Sequence, residues 1–234
     1  MKRLISLSVV LTLGMSSGLF AAGAATVPAP APAAPAASTP AIEPVIARVQ
    51  KFYEGVNTLK ASFVQTSTLS TLSKKEVQQG VLYLSKPGKM RWEFQQPSER
   101  LFVSDGKTLF IYSKADNQVI VQEIKEQAAV AVNFLLGMGD LNKDFTVVAA
   151  PEAEYMRPGR TALSLVPKQQ GSAVSRLVLS VDSQSGMLQE AWTLDPMGNK
   201  TQLTFSNVQV NPTVDAALFT FAPPAGAEVI KGGF

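Results

Sequence analysis

The 234-residue sequence predicts a mainly β fold: a large curved antiparallel sheet or partial barrel of about eleven or twelve strands, with only two or three helices. Three observations carry that prediction. Short runs that alternate apolar and polar residues follow one another along most of the chain. The links between them hold turn-forming residues and are short enough to join antiparallel neighbours. Only two segments depart from the period of two.

The chain opens with Lys2 and Arg3, runs through an apolar stretch from Leu4 to about Phe20, and reaches the small residues Ala21, Ala22, Gly23, Ala24 and Ala25. This is the pattern of a secretory signal peptide, so residues 1–25 are expected to be removed and the mature protein exported. No cysteine is present to carry acyl chains, which excludes a lipoprotein anchor. From Thr26 to Pro40, 11 of 15 residues are Ala or Pro, and no charge occurs between Leu4 and Ile42. Residues 26–40 therefore read as a disordered linker, and residues 41–234 as the folded domain.

In that domain Ile42, Val45, Ile46, Val49, Phe52, Tyr53, Val56 and Leu59 recur at spacings of three and four. They predict an amphipathic helix over Ile42–Leu59, with Pro44 tolerated in its first turn. Strands are then expected at Lys60–Leu69, Val77–Leu84, Met90–Phe94, Leu101–Ser104, Thr108–Tyr112 and Val119–Ile124. Turns at Lys86-Pro87-Gly88, Asp105-Gly106 and Asp116-Asn117 separate them. Ala128–Met138, almost wholly apolar and uncharged, predicts a short helix. Strands resume at Phe145–Ala149, Thr161–Val166, Ser175–Val181, Leu188–Leu194, Thr201–Val210 and Leu218–Phe221, with turns at Ser183–Gly186 and Asp195–Asn199.

The absence of histidine and cysteine excludes disulfides, thiolate and imidazole metal ligands, cysteine nucleophiles and histidine-activated serines. No metal site, cofactor or catalytic residue is expected. Without Lys2 and Arg3, 19 basic residues face 18 acidic ones, and a net charge of +1 gives no argument for nucleic acid. Glu93, Glu99 and Asp105 are near one another in sequence and carboxylate pairs can do acid–base work. Yet Glu93 alternates with Trp92 and Phe94 and so faces water, and Asp105 precedes Gly106 in a turn, where its role is conformational. Ser104 and Lys107 straddle the same turn, so a serine–lysine dyad has no room there. The sequence reads as that of a binding protein, not an enzyme.

The informative feature is an excess of large apolar side chains. Met90, Trp92 and Phe94 share one face of a strand. Tyr83 with Val81, and Phe110 with Tyr112, could extend that face over neighbouring strands, although Leu109 and Ile111 make the other face of their strand apolar too. Each of these residues could equally belong to an ordinary core beneath the first helix. Together, the aromatic sheet and the all-apolar helix describe a cavity with a cover.

The segments GVLYLSKPGKMRWEFQQP, LFVSDGKTLFIY and LFTFAPPAGAEV resemble the LolA family of periplasmic outer-membrane lipoprotein carrier proteins, over Pro44 to Val229. The resemblance implies an open antiparallel half-barrel whose hydrophobic cavity is covered by short helices. It also implies a periplasmic chaperone that takes acylated lipoproteins from an inner-membrane lipoprotein-releasing ABC transporter and passes them to an outer-membrane lipoprotein receptor. A monomer that binds no nucleic acid is expected. The cavity would be lined by Tyr83, Met90, Trp92, Phe94, Phe110 and Tyr112. Val130, Phe134, Leu135 and Leu136 would form the lid, with Gly137 and Gly139 as its hinge. The family commonly carries an arginine immediately before the motif proline, where it holds the lid closed through hydrogen bonds to the lid backbone. Here that residue is Lys86, a rotatable point charge in place of a planar fork, so weaker closure or looser control of release is expected. Two other readings fit an apolar cavity: a periplasmic lipid-binding sensor, like the regulators that restrain the envelope-stress sigma factor, and a carrier of another lipid.

Overall fold

The computed structural model describes residues 42–71, 74–123, 141–168 and 174–232. The expected leader, the linker and the lid segment Ala128–Met138 lie outside the described residues. One helix, α1 (Glu43–Glu54), precedes six strands: β1 (Thr58–Leu69), β2 (Lys74–Ser85), β3 (Lys89–Gln96), β4 (Arg100–Asp105), β5 (Thr108–Ser113) and β6 (Gln118–Glu123). A single helical turn, α2 (Leu141–Asp144), leads into β7 (Phe145–Ala149), β8 (Arg160–Pro167), β9 (Arg176–Asp182), β10 (Leu188–Leu194) and β11 (Lys200–Val210). A 3-10 turn (Ala216–Phe219) and β12 (Glu228–Gly232) complete the chain.

The twelve strands form one sheet in the order β12-β6-β5-β4-β3-β2-β1-β11-β10-β9-β8-β7. Every pairing is antiparallel except that of β12 with β6, which is parallel. Consecutive strands pair through tight turns because the turn residues take the conformations the links need. Gly106 (φ 101°), Asn117 (φ 46°) and Gly198 (φ 80°) supply left-handed positions at three of the links. β7 is one edge of the sheet, and β6, the strand before it among the described residues, lies next to the β12 edge on the other side.

Two expectations need correction. The helix stops at Glu54, not at Leu59, because Gly55 closes its last turn with its N–H on Lys51 O and Phe52 O, and the chain then extends into β1. Val56 and Leu59 are buried all the same. The expected strand Leu218–Phe221 is instead the 3-10 turn, nucleated by Asp215, whose carboxylate accepts from Ala217 N at 2.9 Å. The last strand is β12, which the Gly- and Pro-flanked tail hid from a periodicity reading.

The core lies on the concave face, where α1 packs Val45, Ile46, Val49 and Tyr53 against the sheet. Both convex flanks are covered as well. The chain after β11 returns across β3–β6, where Arg91 Nη1 donates to Leu218 O at 3.1 Å and Phe221 lies 5.6 Å from Phe110 and 5.9 Å from Tyr112. Under β8–β10, Tyr155 packs edge-on against Trp192 at 5.0 Å, and Arg157 and Arg160 neutralise the buried Glu190.

Candidate functional site

Hairpin register decides which side chains share a face, since partners directly across a ladder point the same way. Met90 pairs with Leu84, Trp92 with Leu82, and Phe94 with Gly80. On the other side Trp92 pairs with Phe102, which pairs with Ile111, which pairs with Ile120. All of these point to the concave side. Phe63 of β1 lies opposite Gly80, and a Cβ there would fall 2.9 Å from the Phe63 ring and 1.8 Å from Glu93 O. Only glycine lets that ring lie over the strand. The result is an aromatic floor: Phe63 is 4.9 Å from both Trp92 and Phe94, Trp92 is 6.5 Å from Phe205, and Phe94 is 5.4 Å from Phe102. Trp92 and Phe102 are only half-buried.

The same register corrects half of the expected lining. Tyr83 pairs with Arg91, Phe110 with Val103, and Tyr112 with Leu101, all on the convex side. Tyr83 lies under Lys60 Nζ at 5.5 Å, while Phe110 and Tyr112 are covered by Phe221. Strand β5 is apolar on both faces because both faces are covered, so alternation could not tell them apart. Met90, Trp92 and Phe94 do share the concave face. The residues sequence reasoning missed, Phe63, Phe102 and Phe205, required the pairing register. The short 97–99 link between β3 and β4 and the Met90/Trp92/Phe94 stripe together held the signal for Phe102.

α1 covers the part of the concave face next to this floor, where Tyr53 meets Leu82, Leu84, Leu188 and Phe205, and three groups hold its C-terminal end. Lys86 Nζ donates to Tyr53 O at 2.7 Å and to Glu54 O at 3.3 Å, satisfying carbonyls that the end of a helix leaves unpaired. Asn211 Nδ2 donates to Gly55 O at 2.9 Å, while its Oδ1 accepts from Asn57 N at 2.7 Å. Tyr53 Oη accepts from Leu188 N at 3.2 Å, and burial pushes the phenol well above its ordinary range, so it stays neutral. Midway along α1, Gly186 (φ 80°) comes so close that a Cβ would lie 2.7 Å from the Arg48–Val49 backbone. With α1 in place, the gap lined by Tyr53, Leu59, Ala61, Leu82, Leu84, Leu188, Phe205 and Val208 measures about 20 Å³. That is room for roughly one water, so α1 must shift before a hydrocarbon chain can occupy this space.

Lys86, expected to latch a lid, thus engages α1. Val130, Phe134, Leu135 and Leu136 lie outside the described residues, as do Gly137 and Gly139. The weighed catalytic groups have other occupations. Ser104 Oγ accepts from Gly106 N at 3.0 Å and donates to Gly88 O at 3.1 Å. Asp105 Oδ1 accepts from the amides of Thr108 and Lys107, each at 2.8 Å, and these bonds hold its carboxyl below the usual range. Glu93 pairs with Arg91 at 2.5 Å and Glu99 with Lys114 at 2.7 Å.

Comparison with known proteins adds four findings. A family model described as outer membrane lipoprotein carrier protein LolA matches residues 54–222. An outer-membrane lipoprotein carrier protein of Dechloromonas aromatica is 34% identical over 184 residues, 78% of this chain and 86% of the relative. One from Chromobacterium violaceum is 30% identical over 200 residues, 83% of this chain and 91% of the relative. Among solved structures, a conserved protein from Thermus thermophilus shares the fold with a TM-score of 0.50 at 16% identity, covering 80% of this chain and 97% of that one.

Proposed function

The chain belongs to the outer membrane lipoprotein carrier protein LolA family, and on that premise we propose that it is a periplasmic carrier that shields the acyl chains of lipoproteins against the concave face of its sheet. The observation that carries the reading is the aromatic floor of Phe63, Trp92, Phe94, Phe102 and Phe205 on the face where α1 is fastened by side-chain hydrogen bonds. At about 0.8 kcal/mol per buried methylene, one sixteen-carbon chain costs on the order of 10 kcal/mol to hold in water. A shuttle must cover it. A floor left open would invite aggregation, so a roof that packs onto it when empty serves solubility as well as control.

In this reading the structure is the unloaded state, and cargo trades places with α1. Met90, Trp92 and Phe94 line the acyl site. Lys86 biases α1 toward closure, and Val130, Phe134, Leu135 and Leu136 form a second cover. An inner-membrane ABC transporter supplies the cargo and an outer-membrane receptor accepts it, with residues 1–25 exporting the chain and residues 26–40 giving the domain reach. The protein acts as a monomer and carries out no covalent chemistry. No described helix is long and apolar enough to cross a membrane.

Mass spectrometry of the protein purified from its native envelope tests the proposal. Triacylated lipoprotein bound one to one is the expected result. Free lipid alone would point to a carrier of another lipid, and an empty protein under all conditions would contradict a carrier altogether.

A further inference from the structure

We propose that Arg100 and Gln78 form a polar rim of the acyl site, which hydrogen-bonds the neutral carbonyl oxygens that link acyl chains to a cargo. The inference rests on the acyl-site reading above and deepens it. The recognised group is an ester or amide carbonyl, and the cargo lies with its tails toward α1 and its polar part leaving the sheet at this rim.

The concave face changes character along the strands. On β3, Met90, Trp92 and Phe94 run away from the α1 end over about 13 Å, at roughly 3.3 Å per residue. Arg100 lies directly across from Phe94 in the β3–β4 ladder. Ser113 is the partner of Arg100 and Gln118 the partner of Ser113, so this level of the concave face is polar on three neighbouring strands. On the other side of β3, Gln78 and its partner Gln65 come two residues beyond Gly80 and Phe63, and so point to the same face. A polar row thus borders the aromatic floor at the end away from Lys86, which follows the last residue of β2 and holds the C-terminal end of α1. An acyl chain laid along the floor ends in a carbonyl, and this row is where side-chain donors stand to meet it.

The donors of Arg100 are mostly unused. A guanidinium offers a fork of N–H groups, yet among the described residues Arg100 hydrogen-bonds only through Nη2, to Gln78 Oε1 at 2.6 Å, and its buried Nε meets no acceptor. Arg91, Arg157, Arg160 and Arg176 each pair with a carboxylate, whereas Arg100 pairs with none among the described residues. Buried donors are normally satisfied, so an incomplete fork at the border of an apolar floor fits a site that a ligand's acceptor completes. That acceptor need not be charged: Arg100 is half-buried, and its cationic end keeps contact with water. The fork is also held in position. It lies over the Phe94 ring, 5.2 Å from its centre, and the buried Gln78 is itself fixed by donating from Nε2 to Glu76 Oε1 at 2.6 Å. Side chains ordered in advance spare a ligand that cost.

Three uncharged lipids with the same twelve-carbon chain and the same two hydroxyl groups test this: dodecanoylglycerol, an ester; dodecanamidopropanediol, an amide; and dodecylglycerol, an ether without a carbonyl. Affinity is read from displacement of a fluorescent fatty-acyl probe. The wild type should bind the ester or the amide about tenfold tighter than the ether, and whichever of the two binds tighter identifies the linkage the rim reads. Arg100→Met, which keeps an unbranched chain over Phe94 and removes the donors, should erase that preference and leave ether affinity unchanged. Arg100→Lys, which keeps donors without the fork, should retain part of the preference and guards against a fold defect in the methionine variant. Equal affinity of the wild type for all three lipids, or a full preference that survives in Arg100→Met, overturns the rim while sparing the acyl site. Failure of the wild type to bind even the ether overturns the acyl site and the rim with it.

Discussion

At the scale of single residues, Met90 and Lys86 are where the proposed exchange of α1 for cargo can be tested. Met90 is 8% exposed and contributes to the buried wall beneath α1. Met90→Glu would place a carboxylate among apolar groups with no partner, a desolvation cost that acyl chains cannot offset. Binding of a fluorescent fatty-acyl probe should fall at least tenfold while the circular dichroism spectrum keeps its β signature. Probe binding equal to wild type would remove Met90 from the site. In the proposed exchange Lys86 acts on the opposite state, through its bonds to Tyr53 O and Glu54 O at the end of α1. Lys86→Arg offers a fork where lysine offers a point charge. One further hydrogen bond of about 1 kcal/mol would favour closure and speed release of bound lipid about fivefold. Equal lipid retention in the two proteins would deny Lys86 any latching role.

Among the elements, α1 and the C-terminal return segment cover opposite faces and should be separable by mutation. Gly186 has both a positive φ and a backbone neighbour at 2.7 Å from any Cβ, so Gly186→Ala must push the β9–β10 turn away from Arg48 and Val49. A loss of about 1–3 kcal/mol in unfolding free energy is expected, with faster amide exchange concentrated in α1. Exchange unchanged in α1 would mean that the turn does not brace the helix. Phe221→Ala strips the cover from Phe110 and Tyr112 and should cost a similar amount of stability, yet leave acyl binding as it is. Loss of binding in Phe221→Ala would contradict the assignment of the two faces. These assignments mark where sequence reading reached its limit. Strand positions were legible because turn residues such as Asp105-Gly106 and Asp116-Asn117 announce themselves locally. The facing of β5 was not, since Leu109, Phe110, Ile111 and Tyr112 are apolar throughout and their sides depend on a register inherited through β3 and β4. A register shift between Gln79 and Gly80 in the β2–β3 ladder complicates that inheritance further. The strand β12 escaped notice for a related reason: its pairing with β6 spans more than a hundred residues, and no nearby turn reports it.

For the molecule as a whole, a twelve-stranded sheet has two large faces and the chain covers them by different means. The convex face is closed by aromatic packing and ion pairs, including Arg157 and Arg160 on the buried Glu190. The concave face is closed by a helix whose C-terminal end is held by Lys86 and Asn211. The proposed carrier would use that asymmetry by keeping one face fixed and exchanging the helix on the other for a ligand's hydrocarbon. A photoreactive benzophenone side chain, placed at Trp92 in one variant and at Tyr112 in another, distinguishes the faces directly. After loading with an acylated lipoprotein, illumination should link the acyl chains to position 92 and leave position 112 unlinked. Linkage at 112 in place of 92, or at neither in a protein that still holds its cargo, would place the lipid elsewhere and contradict the account.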